Sequence, residues 1–252
     1  MSIKTILVSQ PQPETGKNPY AALAEKYDLQ IDFRPFIHVE GVDIAEFRSQ
    51  RVDVATHTAV IMTSKTAVDH YFRIAQECRF EVPTTMKFFC VSEAVAYYLQ
   101  KYVTYRKRKI FFGKQSIEDL IDSIKKHKKE KFLLPCSDIL RESIPQTLEK
   151  HQINYTKAVL YRTVASDLSD LENIFYDILV FFSPSGIESL LKNFPGFKQN
   201  ETKIAAFGPT TAKAIVDNNL RLDVHAPQPQ APSMTMALEN FVKEYRKKEK
   251  AS

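Results

Sequence analysis

Two segments that lie far apart in the chain share one pattern, an apolar run that ends at a small hydroxyl residue and continues directly into a helical pattern. The first copy runs over Thr58–Ser64 into Lys65–Phe72, and the second over Asp177–Ser183 into Pro184–Leu191. A continuous apolar run bounded by turn residues is typical of a strand buried on both faces, as in parallel α/β sheets. The repeat therefore predicts an α/β protein made of two similar units.

Each copy repeats the pattern once more along the chain. Lys87–Ser92 precedes Glu93, and Lys203–Gly208 precedes Pro209. The chain thus presents four helix N-termini at the carboxyl ends of four strands. Such ends carry free N–H donors and a partial positive charge, so they bind anions. We expect an acid-rich ligand in a cleft between the two units.

Strands and helices alternate along the sequence. Strands are predicted near residues 3–9, 30–37, 57–63, 87–91, 110–112, 131–135, 153–163, 177–183, 203–207 and 222–225. Helices are predicted near 17–27, 64–77, 93–101, 116–128, 139–150, 184–193, 209–218 and 232–247. Serines 92, 116 and 183 are predicted N-caps, and prolines 184 and 209 stand at first helical positions.

The repeat also predicts how the chain is divided. After Gly113 the first copy continues with helix, strand, helix and strand, whereas after Ala226 the second copy has one helix. The elements missing from the second copy are available at the N-terminus. We therefore predict a discontinuous domain of residues 1–37 plus 164–252 and an inserted domain of residues 40–161, connected by two chain passes that form a hinge. Two domains in tandem would leave the second copy with too few strands.

Composition limits the class of protein. The chain has 252 residues, 44% apolar and 26% charged, which is typical of a soluble globular protein with two domains. It has no apolar run of about 18 residues, so no membrane span is expected. Three scattered cysteines and no secretory pattern predict the cytoplasm. The net charge of +5 lies in runs without interleaved aromatics, so we expect no nucleic-acid partner. We expect a monomer.

The sequence offers few groups that could perform chemistry. No two of the six histidines stand at a metal-binding spacing, and six glycines form neither a dinucleotide motif nor a phosphate loop. We therefore expect no metal and no cofactor. What the strand ends offer are hydroxyls and amides, which bind and orient but are poor nucleophiles without a base. Simple helix capping and ligand contact both remain open for Thr63, Ser64, Ser183, Ser185, Thr210 and Thr211.

Several segments resemble the signatures of a known family. Residues 181–186 followed by 205–212 are similar to the paired signatures of the uroporphyrinogen-III synthase family. Residues 136–142 leading to 159–163, and the first-copy segment 62–68, are similar to the same family. The resemblance covers nearly the whole chain in the right order.

This resemblance implies a fold of two flavodoxin-like parallel-sheet α/β domains joined by a two-stranded hinge, one domain being discontinuous, with the active-site cleft between them. It implies an enzyme of haem biosynthesis, a cyclising hydro-lyase that works without metal or organic cofactor. The substrate would be hydroxymethylbilane, a polyacidic linear tetrapyrrole. The enzyme closes it to uroporphyrinogen III, inverting the terminal pyrrole ring and releasing water.

The resemblance also implies roles for particular residues. By resemblance, Tyr161 occupies the position of the family's candidate proton donor. A phenol with a pKa of about 10 stays protonated at neutral pH and can donate; packing at the hinge is the alternative. Arg141 could pair with a substrate carboxylate in a bidentate manner, or lie free on the surface. The implied substrate-binding residues are Thr63, Ser64, Lys65, Ser92, Ser137, Arg141, Ser183, Ser185, Gly186, Pro209, Thr210 and Thr211.

The chain departs from the family pattern in its first copy. Ser92 and Val95 replace a glycine and a threonine, and Thr66 replaces an asparagine next to an unusual Lys65. The side chain of Val95 cannot donate a hydrogen bond, so any contact there is lost. These departures leave open a second hypothesis, a non-catalytic homologue that binds a tetrapyrrole or another polyacid. The isomer that the protein forms from hydroxymethylbilane would distinguish the two.

Overall fold

Strands and helices alternate in the computed structural model of the chain, which describes residues 3–13 and 18–251. The strands are β1 (Thr5–Val8), β2 (Gln30–Phe33), β3 (Ile37–Gly41), β4 (Ala59–Met62), β5 (Lys87–Cys90), β6 (Ile110–Phe112), β7 (Phe132–Ser137), β8 (Tyr155–Ala165), β9 (Ile178–Phe181), β10 (Lys203–Phe207) and β11 (Val224–Ala226). The helices are α1 (Pro19–Tyr27), α2 (Ile44–Ser49), α3 (Lys65–Glu77), α4 (Glu93–Leu99), α5 (Ile121–Lys126), α6 (Ser143–Lys150), α7 (Pro184–Asn193), α8 (Pro209–Asp217) and α9 (Met234–Ala251). Within the described ranges, no helix is both long and apolar enough to cross a membrane.

The chain divides into two compact units. The discontinuous unit consists of Met1–His38 and Val164–Ser252, and the inserted unit consists of Val39–Thr163. The chain passes between the units within β3 and within β8, which are neighbours in one sheet. Two paired strands therefore join the units, as the predicted fold class requires.

The discontinuous unit is built on a five-stranded sheet in the order β2-β1-β9-β10-β11, with every pair parallel. Alternate residues of β9 enter two different cores: Val180 joins the cluster that contains α9, and Leu179 joins the cluster that contains α7 and α8. Both faces of the sheet are thus covered, which is why the strand is continuously apolar. This strand order is that of flavodoxin-like folds.

The inserted unit has a six-stranded sheet in the order β3-β8-β7-β4-β5-β6. The pairs from β8 to β6 are parallel. Its two cores also lie on opposite faces, with Val60 and Met62 in one and Ile61 and Phe89 in the other.

The two sheets share one spatial order but begin at different strands. In the inserted unit β4-β5-β6 occupy the places that β9-β10-β11 occupy in the other sheet, and β7-β8 occupy the places of β1-β2. In the inserted unit the chain therefore starts at the third strand of the fold, β4, and adds the first and second strands last, as β7 and β8. This confirms the predicted fold class of two flavodoxin-like parallel-sheet units, one of them discontinuous.

Three of the strand–helix turns are closed by serine caps, and one of the three predicted caps, Ser116, is wrong. The Oγ atoms of Ser64, Ser92 and Ser183 accept from the backbone N–H groups of residues 67, 95 and 186. Ser116 does not cap a helix, because its own N–H donates to Asp119 Oδ2, which also accepts from residues 114 and 115. That carboxylate holds the chain in a turn, so α5 begins only at Ile121.

Other predicted elements differ from the structure in their bounds. The predicted strand 30–37 is two strands, β2 and β3, because Pro35 has no N–H to donate to a ladder. The predicted helix 139–150 begins at Ser143, and the prediction missed α2 altogether. The first residue of the predicted helix 17–27 lies outside the described residues.

Gly208 joins β10 to α8 with φ +88 and ψ 153, a conformation that is essentially restricted to glycine. An added Cβ would meet no described atom within 4 Å, so a substitution changes backbone strain alone. We expect Gly208→Ala to lower the free energy of unfolding by about 1–3 kcal/mol in denaturant titrations.

Gly196 is a matched control for this prediction. An added Cβ there also meets nothing within 4 Å of it in the described chain, and its φ is not positive. Gly196→Ala should therefore leave stability unchanged or raise it by about 0.4–1 kcal/mol. Equal losses in both variants would contradict the strain at Gly208.

Candidate functional site

The carboxyl edge of the inserted unit's sheet gathers several of the predicted residues. Thr63 and Ser64 follow β4, Ser92 follows β5, and Ser137 ends β7. The strand order reverses between β4 and β7, and ligands of open α/β sheets bind in the crevice beside such a reversal. Ser64 and Ser137 come from the two strands that border this reversal, and Tyr161 comes from β8, the next strand beyond β7.

Serine caps bind one backbone N–H group in the first turn of both α3 and α4. Ser64 Oγ accepts from Ala67 N at 3.0 Å, and Ser92 Oγ accepts from Val95 N at 3.3 Å. Each cap uses one of the unpaired N–H groups that a helix has at its start, and the macrodipole adds partial positive charge. Helix α3 is long enough to develop this field, whereas α4 has only seven residues. The Val95 side chain is buried and packs in the core.

Tyr161 is placed by an irregularity in β8. Cys136 pairs with Val159, but the next residue, Ser137, pairs with Tyr161, so Leu160 is the extra residue of a β-bulge. A bulge redirects the side chains that follow it. As a result Leu160 and Tyr161 both pack in the same core cluster, and only 8% of Tyr161 is exposed.

The Tyr161 hydroxyl faces a polar neighbour at the strand ends. Its Oη lies 3.4 Å from Ser64 Oγ, within hydrogen-bonding distance. Burial raises the pKa of Tyr161 above its usual value, against the lowering effect of the bond from Ser64. The phenol is therefore protonated throughout the neutral range and can donate a proton.

The remaining predicted residues of the inserted unit lie in more open positions. Ser137 Oγ donates to Asp138 Oδ1 at 2.6 Å, and Arg141 is exposed in the loop before α6. The Arg141 guanidinium has no ion-pair partner among the residues that the structure describes. Lys65 is exposed at the start of α3, with its Nζ 5.5 Å from the centroid of the Tyr98 ring.

The discontinuous unit presents a second set of strand ends. Ser183 Oγ accepts from Gly186 N at 3.2 Å at the start of α7, and Ser185 is half-buried. Gly186 is buried, and an added Cβ would come within 3.3 Å of the Phe181 ring, which explains the glycine. At the start of α8, Pro209 and Thr210 are exposed.

Thr211 differs from the other predicted binding residues. Only 1% of it is exposed, so its side chain offers almost no surface to a ligand in this structure. Its neighbour Thr210 carries an exposed hydroxyl at the same helix start.

The sequence patterns did not identify two residues beside these sets. In the discontinuous unit, Ser9 Oγ lies 3.8 Å from the Cβ position of Gly186, and Ser9 follows β1 at the strand-order reversal. A hydroxyl after a buried strand is the same signal as at Ser64 and Ser183.

In the inserted unit, the His70 ring stacks on Tyr161 with centroids 5.0 Å apart and an interplanar angle of 20°. His70 carried no sequence signal, because it stands alone in a helix.

Two other features bear on the site's chemistry. Among the described residues no three His, Cys, Asp or Glu side chains are grouped so that they could hold a metal ion. A depression of about 720 Å³ in the inserted unit is lined by Arg51, His57 and Lys131, but it lies near the amino ends of β7 and β8. It is therefore separate from the hydroxyl-bearing edge.

Comparisons with known proteins agree on one family. Residues 18–236 match the family model described as uroporphyrinogen-III synthase HemD. A curated relative, uroporphyrinogen-III synthase of Saccharomyces cerevisiae, is 29% identical over 142 residues, which is 50% of each chain. The match thus spans about half the length of that relative.

Solved structures are similar over nearly the whole chain. The uroporphyrinogen-III synthetase of Helicobacter pylori has a TM-score of 0.60 at 18% identity and covers 96% of this chain and 100% of its own. A mutant uroporphyrinogen III synthase of Thermus thermophilus has a TM-score of 0.51 at 13% identity, with coverages of 99% and 100%. At these identities the likeness concerns the fold alone.

Proposed function

The chain belongs to the uroporphyrinogen-III synthase family, and we propose that it converts hydroxymethylbilane into uroporphyrinogen III. The observation that carries this proposal is the family match over residues 18–236, a range that includes every site residue predicted from the sequence. In the reaction the hydroxyl leaves the bilane, the ring closes, and the terminal pyrrole is inverted.

The chemistry of the substrate explains why orientation is the main task. The pyrrole nitrogen pushes out the protonated hydroxymethyl oxygen as water to give an azafulvene, and the substituted carbon of the terminal ring then attacks this electrophile. The resulting spiro intermediate fragments and closes again with that ring inverted. Without assistance the bilane closes without inversion, so the protein must hold a flexible chain in the geometry that favours the spiro route. Orientation of this kind contributes up to ~7–11 kcal/mol in well-aligned systems.

The strand ends of both units supply groups suited to a polyacid. Helix starts at Lys65, Pro184 and Pro209 offer backbone N–H groups and positive dipole ends, to which carboxylates bind. Exposed Lys65 and Arg141 add full positive charges. In this proposal these groups bind substrate carboxylates and fix the bilane's conformation.

Tyr161 is the proposed proton donor to the departing hydroxyl. Burial raises its pKa, so the phenol keeps its proton at neutral pH, and Ser64 Oγ lies 3.4 Å from its oxygen. General acid catalysis of this type contributes roughly 10²–10⁴-fold. This role needs neither metal nor organic cofactor, and the enzyme is accordingly proposed to be a cofactor-free hydro-lyase.

The proposal extends to compartment and assembly. Cys78, Cys90 and Cys136 are free thiols, which fits a reducing cytoplasm. Burial raises the pKa of Cys90 to about 12 and that of Cys136 to about 11, so neither forms a reactive thiolate readily. The proposed state is a cytoplasmic monomer that acts on a small molecule without nucleic acid.

The deciding experiment measures the isomer ratio. Purified protein is incubated with hydroxymethylbilane, and the products are oxidised and separated by chromatography beside a protein-free reaction. Predominance of the type III isomer supports the proposal, and type I alone would exclude it. A non-catalytic homologue would bind the product yet leave the ratio equal to that of the protein-free control.

Lys65 allows a test of carboxylate binding. An exposed ion pair is worth about 0–1 kcal/mol, so Lys65→Met should raise KM about two- to fivefold and leave kcat within about twofold. Initial rates over a range of substrate concentrations give both constants. Lys101→Met is the matched control, because Lys101 Nζ lies 4.0 Å from the same Tyr98 ring but beyond the end of α4. Equal increases in KM for both variants would argue against a contact at Lys65.

A further inference from the structure

Arg73 on α3 connects four groups of the inserted unit. Its Nη2 donates to the carbonyl oxygens of Val42 at 2.8 Å and Leu160 at 3.0 Å, and its Nε donates to His70 Nδ1 at 3.2 Å. Its Nη1 pairs with Glu77 at 2.6 Å. A guanidinium has donors in a fixed planar array, so these contacts fix its orientation. No sequence pattern singled out this residue.

The contact with Leu160 holds the bulge that carries Tyr161. Leu160 is the extra residue of the bulge, and its carbonyl accepts from both Arg73 Nη2 and the Val42 N–H at 2.9 Å. The Val42 bond continues the pairing of β8 with its other neighbour, β3, and Arg73 adds a side-chain donor to the carbonyl of the bulged residue. An added Cβ at Gly41 would lie 3.0 Å from the Arg73 guanidinium, which shows how closely the backbone approaches it.

The contact with His70 fixes the ring that supports Tyr161. Because Arg73 donates to Nδ1, that nitrogen is an acceptor, and the neutral ring carries its proton on Nε2. Burial and then the charge of Arg73 lower the pKa of His70, while Asp69 acts in the opposite direction. The imidazole is therefore uncharged at neutral pH, and it lies nearly parallel to the Tyr161 ring.

We propose that Arg73 and His70 are positioning residues for Tyr161: Arg73 fixes the bulge from which Tyr161 projects and the tautomer of His70, and His70 supports the face of the phenol. The hydroxyl is thereby held beside Ser64 before substrate binds. This inference rests on the proposed function of Tyr161 as proton donor. In this proposal neither Arg73 nor His70 contacts the substrate.

The central test is a double-mutant cycle on kcat. His70→Ala should lower kcat at least tenfold with KM within about twofold, whereas His70→Phe, which keeps a flat ring, should stay within about threefold of the wild type. In the Tyr161→Phe background His70→Ala should have no further effect, because residues that act as one unit are non-additive. If His70→Ala lowers kcat equally in both backgrounds, its role is only structural and the proposal is wrong.

Arg73 is tested in parallel. Arg73→Met should lower kcat at least tenfold, and Arg73→Lys should not restore it, because one ammonium cannot reproduce the planar array of donors. Arg79→Met removes the same charge from an exposed position just after α3 and should leave kcat unchanged. An Arg73→Met enzyme with wild-type kcat would overturn the proposal.

A measurement without substrate separates this inference from the proposed function. In nitrogen-15 NMR of the histidine rings, wild-type His70 should show the Nε2–H tautomer and a pKa below 6.5, and Arg73→Met should raise that pKa. The opposite tautomer in the wild type would overturn the positioning role even if the enzyme forms type III product. A wild-type protein that forms only type I, yet shows the expected tautomer, would instead overturn the proposed function.

Discussion

Replacing Tyr161 with phenylalanine is expected to lower kcat by about 10²–10⁴-fold, the loss typical of removing a general acid. The substitution deletes only the hydroxyl. The ring still fills its buried place and still stacks on His70, so the fold and KM should change little. The measurement is the rate of type III formation at saturating substrate, with circular dichroism as the check on folding.

Tyr155→Phe is the matched control for this experiment. Tyr155 lies on the same strand, at its opposite end, and it is also partly buried. Its variant should retain the wild-type kcat. A Tyr161→Phe enzyme that retains nearly the full rate would show that the phenol is not the proton donor.

Phe181→Ala is expected to lower the free energy of unfolding by about 3–5 kcal/mol, the usual cost of truncating a buried phenylalanine. Phe181 ends β9, is fully buried, and packs edge-to-face against Phe36 with centroids 5.6 Å apart. The Phe181 ring also packs against the Ser183–Gly186 turn, because its Cδ1 atom is the nearest atom to the Gly186 Cβ position, at 3.3 Å. The cavity would thus remove support from a proposed binding turn as well as from the core.

The adjacent residue provides the control for the core substitution. Phe182 points to the other face of the sheet and is only partly buried, so Phe182→Ala should cost less. Denaturant unfolding of the two variants gives the comparison. An equal loss of stability in the two variants would contradict the prediction that the fully buried Phe181 contributes more than the partly buried Phe182.

The sequence predicted best where local signals and burial agree. Pro184 at a first helical position and the apolar run before it defined helix α7 at its observed bounds, and strands β6 and β10 also have their predicted limits. Serines after such runs predicted the caps Ser92 and Ser183, and Ser64, for which capping was left open, is a cap as well. Each of these signals spans only a few neighbouring residues, so it can be recognised from the sequence without knowledge of the fold.

The predictions are wrong where the local signals are short or compete with one another. Helix α2 was missed although Asp43 caps it, accepting from Glu46 N at 2.8 Å, in the spacing of a capping box. The predicted strand 30–37 joins β2 and β3, despite the proline between them. The helix expected from residue 139 begins later because Ser137 accepts from Ile139 N and Asp138 accepts from Thr163 N, which hold the preceding segment in a turn.

The arrangement around Tyr161 was beyond any local pattern. His70, Arg73 and Leu160 meet across the inserted unit, and their contacts depend on the bulge in β8 and on the close approach of Gly41. No spacing in the sequence encodes a register shift between two strands. The proposal that Tyr161 is the proton donor rests on resemblance to a family, whereas the residues that contact Tyr161 are seen only in the structure.

The discontinuous course of the chain has a consequence for how the protein folds during its own synthesis on the ribosome. β1 is paired with β2 on one side and with β9 on the other, but β9 begins at Ile178, after the whole inserted unit. As the nascent polypeptide leaves the ribosome, residues 39–163 can complete their own sheet before β9, the partner of β1, has been synthesised. During that interval β1 has an open edge that could pair with other chains, so chaperone binding would be most useful then.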